Sequence, residues 1–222
     1  MADYPSTRFN VPVDLPMDVF EIRPAAGVAT RSVIVLLHGY TETGRRMLRK
    51  LEPVLPKDAL VLSFNGPYPV PVRGKDGEHR EGYGWYFYND VTDEYVRDMS
   101  VGVKVVSELV RNLAPAGIPI DLIGFSQGAY LAPFAAAALP LARQVIAVAG
   151  RFLDEEIPGV PPFELHCVVG EKDPVVSAAE AKRSFDAMIA RGARGSFVSI
   201  ANSEHRIDDE IRSVIVKTLS QI

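Results

Sequence analysis

The sequence predicts an α/β protein built on a mostly parallel sheet with helices on both faces. Three observations carry this. Short apolar runs rich in β-branched residues alternate with helix-period segments along the whole chain. The runs at 32–37 and 120–125 are apolar at nearly every position, as strands covered on both sides must be. A tight glycine-flanked turn, Gly124-Phe125-Ser126-Gln127-Gly128, joins one such run to an alanine-rich stretch.

The size suits this class. With 222 residues, 47% hydrophobic and 23% charged, the chain can bury one full core, and a single domain over 1–222 is expected. A net charge of −4 and no long basic cluster argue against nucleic acid as a partner. The lone cysteine, Cys167, excludes an intramolecular disulfide and a Cys-rich metal site. It sits in an apolar run and reads as a small buried hydrophobe. No stretch is long and apolar enough to span a bilayer, and the first residues lack a basic-then-apolar leader pattern. A cytoplasmic protein is expected.

In chain order, residues 1–16 are proline-rich, with an edge strand possible at 9–13, and 17–23 alternates as an outer strand. The run 32–37 is the first buried strand and ends in His38-Gly39-Tyr40-Thr41. Residues 45–55 carry Met47, Leu48, Leu51, Val54 and Leu55 at helical spacing, and Pro56 is expected to stop that helix. Residues 59–64 form the next strand. The stretch 65–92, dense in tyrosine, proline and glycine, reads as the longest irregular segment. Residues 93–114 are predicted as one amphipathic helix, with Tyr95, Met99, Val103, Val106, Leu109, Val110 and Leu113 on its inner face.

The helix after Ser126 is apolar nearly all round, so it should be buried; Pro133 inside it predicts a kink or a late start. Strands follow at 144–149, 164–170 and 195–200. A helix over 177–191 should pack through Ala178, Ala181, Phe185, Met188 and Ile189. A last helix over 208–222 should be capped by Asp208 and pack through Ile211, Val214, Ile215 and Leu219.

The turn at Ser126 has the form of a nucleophile elbow, Gly-x-Ser-x-Gly between strand and helix. A serine hydroxyl needs a base, and the base needs an orienting acid. Of four histidines, His166 lies in a strand, His79 in a polar tip and His38 beside Gly39. His205 follows the last strand, at an edge where open α/β sheets place their sites. It is the candidate base. Asp173, in Gly170-Glu171-Lys172-Asp173-Pro174, is the candidate acid, with Glu171 and Asp154 as alternatives. A turn-capping role for Asp173 is the plain structural reading. An oxyanion formed at Ser126 needs two N–H donors, expected from Gln127 and from Tyr40 or Thr41.

These residues resemble the phospholipase/carboxylesterase family of the α/β-hydrolase superfamily, which includes the acyl-protein thioesterases. The resemblance rests on Leu36-Leu37-His38-Gly39, Gly66-Pro67-Tyr68-Pro69-Val70 and Gly84-Trp85-Tyr86-Phe87. It continues through the Gly-Phe-Ser-Gln-Gly elbow, Gly170-Glu171-Lys172-Asp173-Pro174-Val175-Val176 and His205. It implies an α/β-hydrolase fold without a large lid and a Ser126–Asp173–His205 triad, with no metal. Three positions depart from the family pattern: Ala129 and Glu204 stand where glycine is usual, and Tyr40 where leucine is.

The expected activity is hydrolysis of a small-molecule carboxylic ester through an acyl-enzyme, without a cofactor. Thioester or lysophospholipid cleavage on the same site is the nearest alternative, and a non-catalytic binding protein of the same fold is the rival from another class. Trp85, Tyr86, Thr41 and Phe152 are the candidate substrate contacts. An apolar groove beside 83–88 could equally serve a homodimer.

Overall fold

The computed structural model describes residues 14–74, 77–89, 94–96 and 98–220. The expected strand at 9–13 lies outside them. A seven-stranded sheet runs in the order β1-β3-β2-β8-β9-β10-β11. Its strands are β1 (Val19–Ile22), β2 (Ser32–Leu37), β3 (Ala59–Phe64), β8 (Ile120–Phe125), β9 (Ala142–Val148), β10 (Glu164–Gly170) and β11 (Gly195–Ile200). Only β1 is antiparallel to its neighbour; the other pairings are parallel.

Alternation along β2 divides the core in two. Val33, Val35 and Leu37 face a cluster shared with helices α2 (Ser100–Leu113), α3 (Gln127–Ala137) and α4 (Ala178–Ala190). Ile34 and Leu36 face a second cluster with α1 (Gly44–Leu51) and α5 (Asp209–Leu219). Burial on both sides is why β2 is apolar from Val33 to Leu37. The chain leaves β2 toward β3 on one side and returns with β8 on the other. The direction therefore reverses between β2 and β8, the place where open α/β sheets bind ligands.

Several elements differ from expectation. The helix 45–55 ends at Leu51 and tightens into a 3₁₀ turn, Glu52–Val54. Pro53, not Pro56, decides this, because it has no N–H to bond back to Arg49. The described residues of 65–92 are largely strand. They hold β4 (Tyr68–Arg73) paired with β5 (His79–Gly84), then β6 (Phe87–Asn89), which pairs with β7 (Glu94–Val96) beyond the segment. Pro69 and Pro71 occupy alternate positions of a two-stranded ribbon, where every second N–H points away from the partner. Residues 94–96 thus belong to a hairpin, and the helix expected from 93 begins only at Ser100, its N–H bonded to Asp98 Oδ1 at 3.0 Å.

The helix after the elbow starts at once, at Gln127, and Pro133 is accommodated inside it, so no late start occurs. α3 packs on β8, β9 and α2, which accounts for its apolar circumference. In α4, Ile189 faces outward and Ser184 is buried in its stead. Asp208 caps α5 by accepting from Ile211 N–H at 3.0 Å.

Candidate active site

The elbow is made by two close approaches. A Cβ on Gly124 would lie 2.3 Å from the Gly128 carbonyl oxygen, and one on Gly128 would lie 2.2 Å from that of Leu37. Strand and helix can cross at this distance only without side chains at both positions. Ser126 between them takes φ 51° and ψ −118°, a strained conformation for any residue but glycine. The strain sets its hydroxyl above the carboxyl edge of the sheet.

His205 reaches that hydroxyl from the loop between β11 and α5. Its Nε2 lies 2.9 Å from Ser126 Oγ, and its Nδ1 lies 2.8 Å from Asp173 Oδ2. The ring also packs against Phe125 at 5.2 Å between centroids. The loop comes close because Gly170 has no side chain: a Cβ there would meet the Ser203 carbonyl oxygen at 2.2 Å.

The Asp173 carboxylate is fully buried. Its Oδ1 accepts the N–H groups of Val175 and Val176 at 2.8 and 2.9 Å. The turn-capping reading and the orienting geometry therefore hold together, one on each oxygen. Glu171 points elsewhere and accepts from Ser199 Oγ. Asp154 stands against Arg183, 4.0 Å away.

Gln127 opens α3, so its N–H has no intrahelical acceptor. Opposite lies the loop after β2. Gly39 abuts the serine, since a Cβ on it would meet Ser126 Cβ at 3.3 Å. Thr41, at φ 64°, donates its N–H to the Tyr83 carbonyl at 2.9 Å. That amide is committed to β5, and Tyr40 is left as the loop's candidate donor.

The candidate substrate contacts need correction. Trp85 and Phe152 have no exposed surface, and Tyr86 is 3% exposed. In this conformation they offer nothing for a substrate to touch. Trp85 packs on His38 and donates its indole N–H to the His38 carbonyl at 2.9 Å. Thr41 is half-buried beside the site. Phe87 is exposed and packs against Tyr68, the ring centroids 4.2 Å apart and the planes tilted by 43°.

Sequence reasoning missed the buried polar groups behind the site. The Gln127 carboxamide accepts from Trp85 N–H at 2.8 Å and donates to the Tyr86 carbonyl at 3.0 Å. The His38 ring is fully buried, and burial lowers its pKa to about 4. A polar side chain flanking the elbow was the available signal for Gln127; its partners, some forty residues away in sequence, gave none.

The family departures fit their surroundings. The Ala129 methyl fills the space beside Gly150, where a Cβ would stand only 2.5 Å from it. The Tyr40 ring lies over Gly84, where a Cβ would meet ring carbons at 3.2 Å. Glu204 is exposed. Among the described residues no group of His, Cys, Asp and Glu could hold a metal ion, and no helix is long and apolar enough to cross a membrane.

Comparison with known proteins agrees with this architecture. The sequence model described as Phospholipase/Carboxylesterase matches residues 18–221. Esterase YpfH of Escherichia coli (strain K12) is 27% identical over 163 residues, covering 71% of this chain and 67% of that protein. Esterase OVCA2 of Mus musculus is 28% identical over 207 residues, covering 78% and 92%. The crystal structure of Zea mays acyl-protein thioesterase 2 superposes with a TM-score of 0.71 at 22% identity, over 91% of this chain and 97% of that one.

Proposed function

Since the chain belongs to the phospholipase/carboxylesterase family of α/β hydrolases, we propose that it is a serine hydrolase cleaving small carboxylic esters through an acyl-enzyme. The observation that supports this best is the unbroken line from Ser126 Oγ to His205 Nε2 at 2.9 Å and from His205 Nδ1 to Asp173 Oδ2 at 2.8 Å.

In this reading the Ser126 oxygen attacks the ester carbonyl while His205 Nε2 takes its proton. Asp173 keeps the other imidazole proton on Nδ1 and stabilises the imidazolium. The Gln127 and Tyr40 amides hold the oxyanion, aided by the N-terminus of α3. His205 then gives its proton to the leaving alcohol. Water, deprotonated by the same ring, attacks the acyl-serine, and collapse of the second tetrahedral intermediate frees the acid and restores Ser126. The half-buried imidazole, 21% exposed, is open to that water.

Hydrolysis of p-nitrophenyl butyrate by the wild type and Ser126→Ala tests the reading, together with labelling by a fluorophosphonate. Turnover and a label on Ser126 in the wild type, both absent from the variant, are expected. Equal rates in the two proteins, or no label, would overturn it.

A further inference from the structure

The Gly39–Tyr40 peptide is one planar trans unit, so the direction of its carbonyl fixes the direction of the Tyr40 N–H on the other side. Two donors hold that carbonyl. His38 Nδ1 lies 2.7 Å from it and Glu42 N lies 3.1 Å from it. The other ring nitrogen, His38 Nε2, accepts the Gly66 N–H at 2.9 Å. A neutral ring has one proton, and that acceptor role leaves it on Nδ1, where it must be to reach Gly39. Burial keeps the ring neutral, with a pKa of about 4.

The next carbonyl back, that of His38, accepts from the Trp85 indole at 2.9 Å. The Trp85 backbone is in turn clamped by the Gln127 carboxamide, through Trp85 N–H and the Tyr86 carbonyl. Gln127 directly follows Ser126. The chain of contacts starts at the serine's own turn, passes through Gln127, Trp85 and His38, and returns to the peptide facing that serine. His38 and Trp85 are fully buried, and Gln127 is 2% exposed.

We propose that His38 and Trp85 are positioning residues that set the direction of the Tyr40 N–H, and that the Gln127 side chain ties that setting to the turn holding Ser126. Gln127 thereby acts twice, its backbone as an oxyanion donor and its carboxamide as the anchor of the opposite donor. The inference rests on the ester-hydrolase reading above. Its physical content is preorganisation: a donor already aimed at the developing charge costs no reorganisation during the reaction, and a misaimed one loses much of its worth.

The test uses Trp85→Phe, which removes one donor and keeps the packing, and Gln127→Met, which removes both amide bonds and keeps the backbone N–H. Values of kcat and KM on p-nitrophenyl butyrate are measured with the inhibition constant of an aryl trifluoromethyl ketone, whose serine adduct carries an oxyanion. Each variant should lower kcat about tenfold, leave KM within about twofold and weaken the ketone by the same factor as kcat. The double variant should fall short of the product of the two effects, as links of one chain do. Unchanged kcat and ketone affinity, with only a lower melting temperature, would overturn the proposal. Should Gln127→Met fail to fold, Trp85→Phe decides by the same readouts. Wild type that neither turns over ester nor labels at Ser126 removes the parent reading; active wild type with unaltered variants removes this one alone.

Discussion

Asp173 and His205 meet at 2.8 Å through one carboxylate oxygen, while the other oxygen of that carboxylate holds the turn at Val175 and Val176. The two duties separate under mutation. In Asp173→Asn the amide oxygen can keep the turn while the NH₂ faces His205 Nδ1. The ring proton then moves to Nε2, which can no longer accept from Ser126. We expect kcat to fall by about 10³- to 10⁴-fold with the melting temperature nearly unchanged. Asp173→Ala should cost the same activity and, in addition, about 1 kcal/mol of stability, measured by urea unfolding, from the lost turn.

Gly39→Ala should separate activity from stability in another way. The new methyl meets the Phe125 ring at 3.0 Å and Ser126 Cβ at 3.3 Å, so the loop must retreat from the serine by a few tenths of an ångström. A kcat loss of about tenfold or more is expected in steady-state assays, since oxyanion donors are sensitive to distance.

Gly128→Ala should instead fail as a fold. Its methyl would meet backbone, the Leu37 oxygen at 2.2 Å and the His38 oxygen at 2.7 Å, and backbone cannot swing aside. A loss on the order of 3 kcal/mol or more, or no soluble protein, is the expected outcome of denaturant melts.

Acid should destabilise the protein through His38. Its pKa drops from 6.5 to about 4 on folding, with desolvation the main cause. Glu42 and Lys50 are the charged groups acting on it, with opposite signs. Between these values the unfolded chain binds a proton that the folded protein does not. Stability is therefore full above about pH 6.5 and falls as pH drops toward 4, by roughly 3 kcal/mol in all. His166, also lowered by burial, adds in the same direction. Urea midpoints measured across this range should fall less steeply in His38→Gln than in the wild type.

Cys167 should stay silent to thiol reagents. The side chain is fully buried, and burial raises its pKa to about 12. The thiolate that would react is thus both rare and unreachable. Ellman's reagent should give no colour with the native protein and one equivalent after denaturation in guanidinium.

The sequence by itself determined the class of fold, because periodicity is local. A strand covered on both faces is apolar at most positions, as 32–37 and 120–125 are, and α3 reads as buried because it is apolar nearly all round. It also placed Ser126, Asp173 and His205 at strand ends. The glycines around Ser126 exist to let strand and helix cross, and that demand is written within five residues. What local pattern could not show was pairing. The strands β4 and β5 look like loop, since prolines and glycines mask them until a partner ribbon is present. Residues 94–96 read as helix because Tyr95 and Met99 fall one helical turn apart.

Tertiary structure alone decided which polar groups lie behind the site. The hydrogen bonds that Trp85 donates, through its backbone N–H to Gln127 and its indole N–H to His38, join residues more than forty positions apart. Nothing in a run of amino acids signals an acceptor that only folding brings within 3 Å. The same holds for Trp85 and Phe152: an aromatic side chain in a loop can face solvent or core with equal chemical sense, and only the packing of neighbouring elements selects the core.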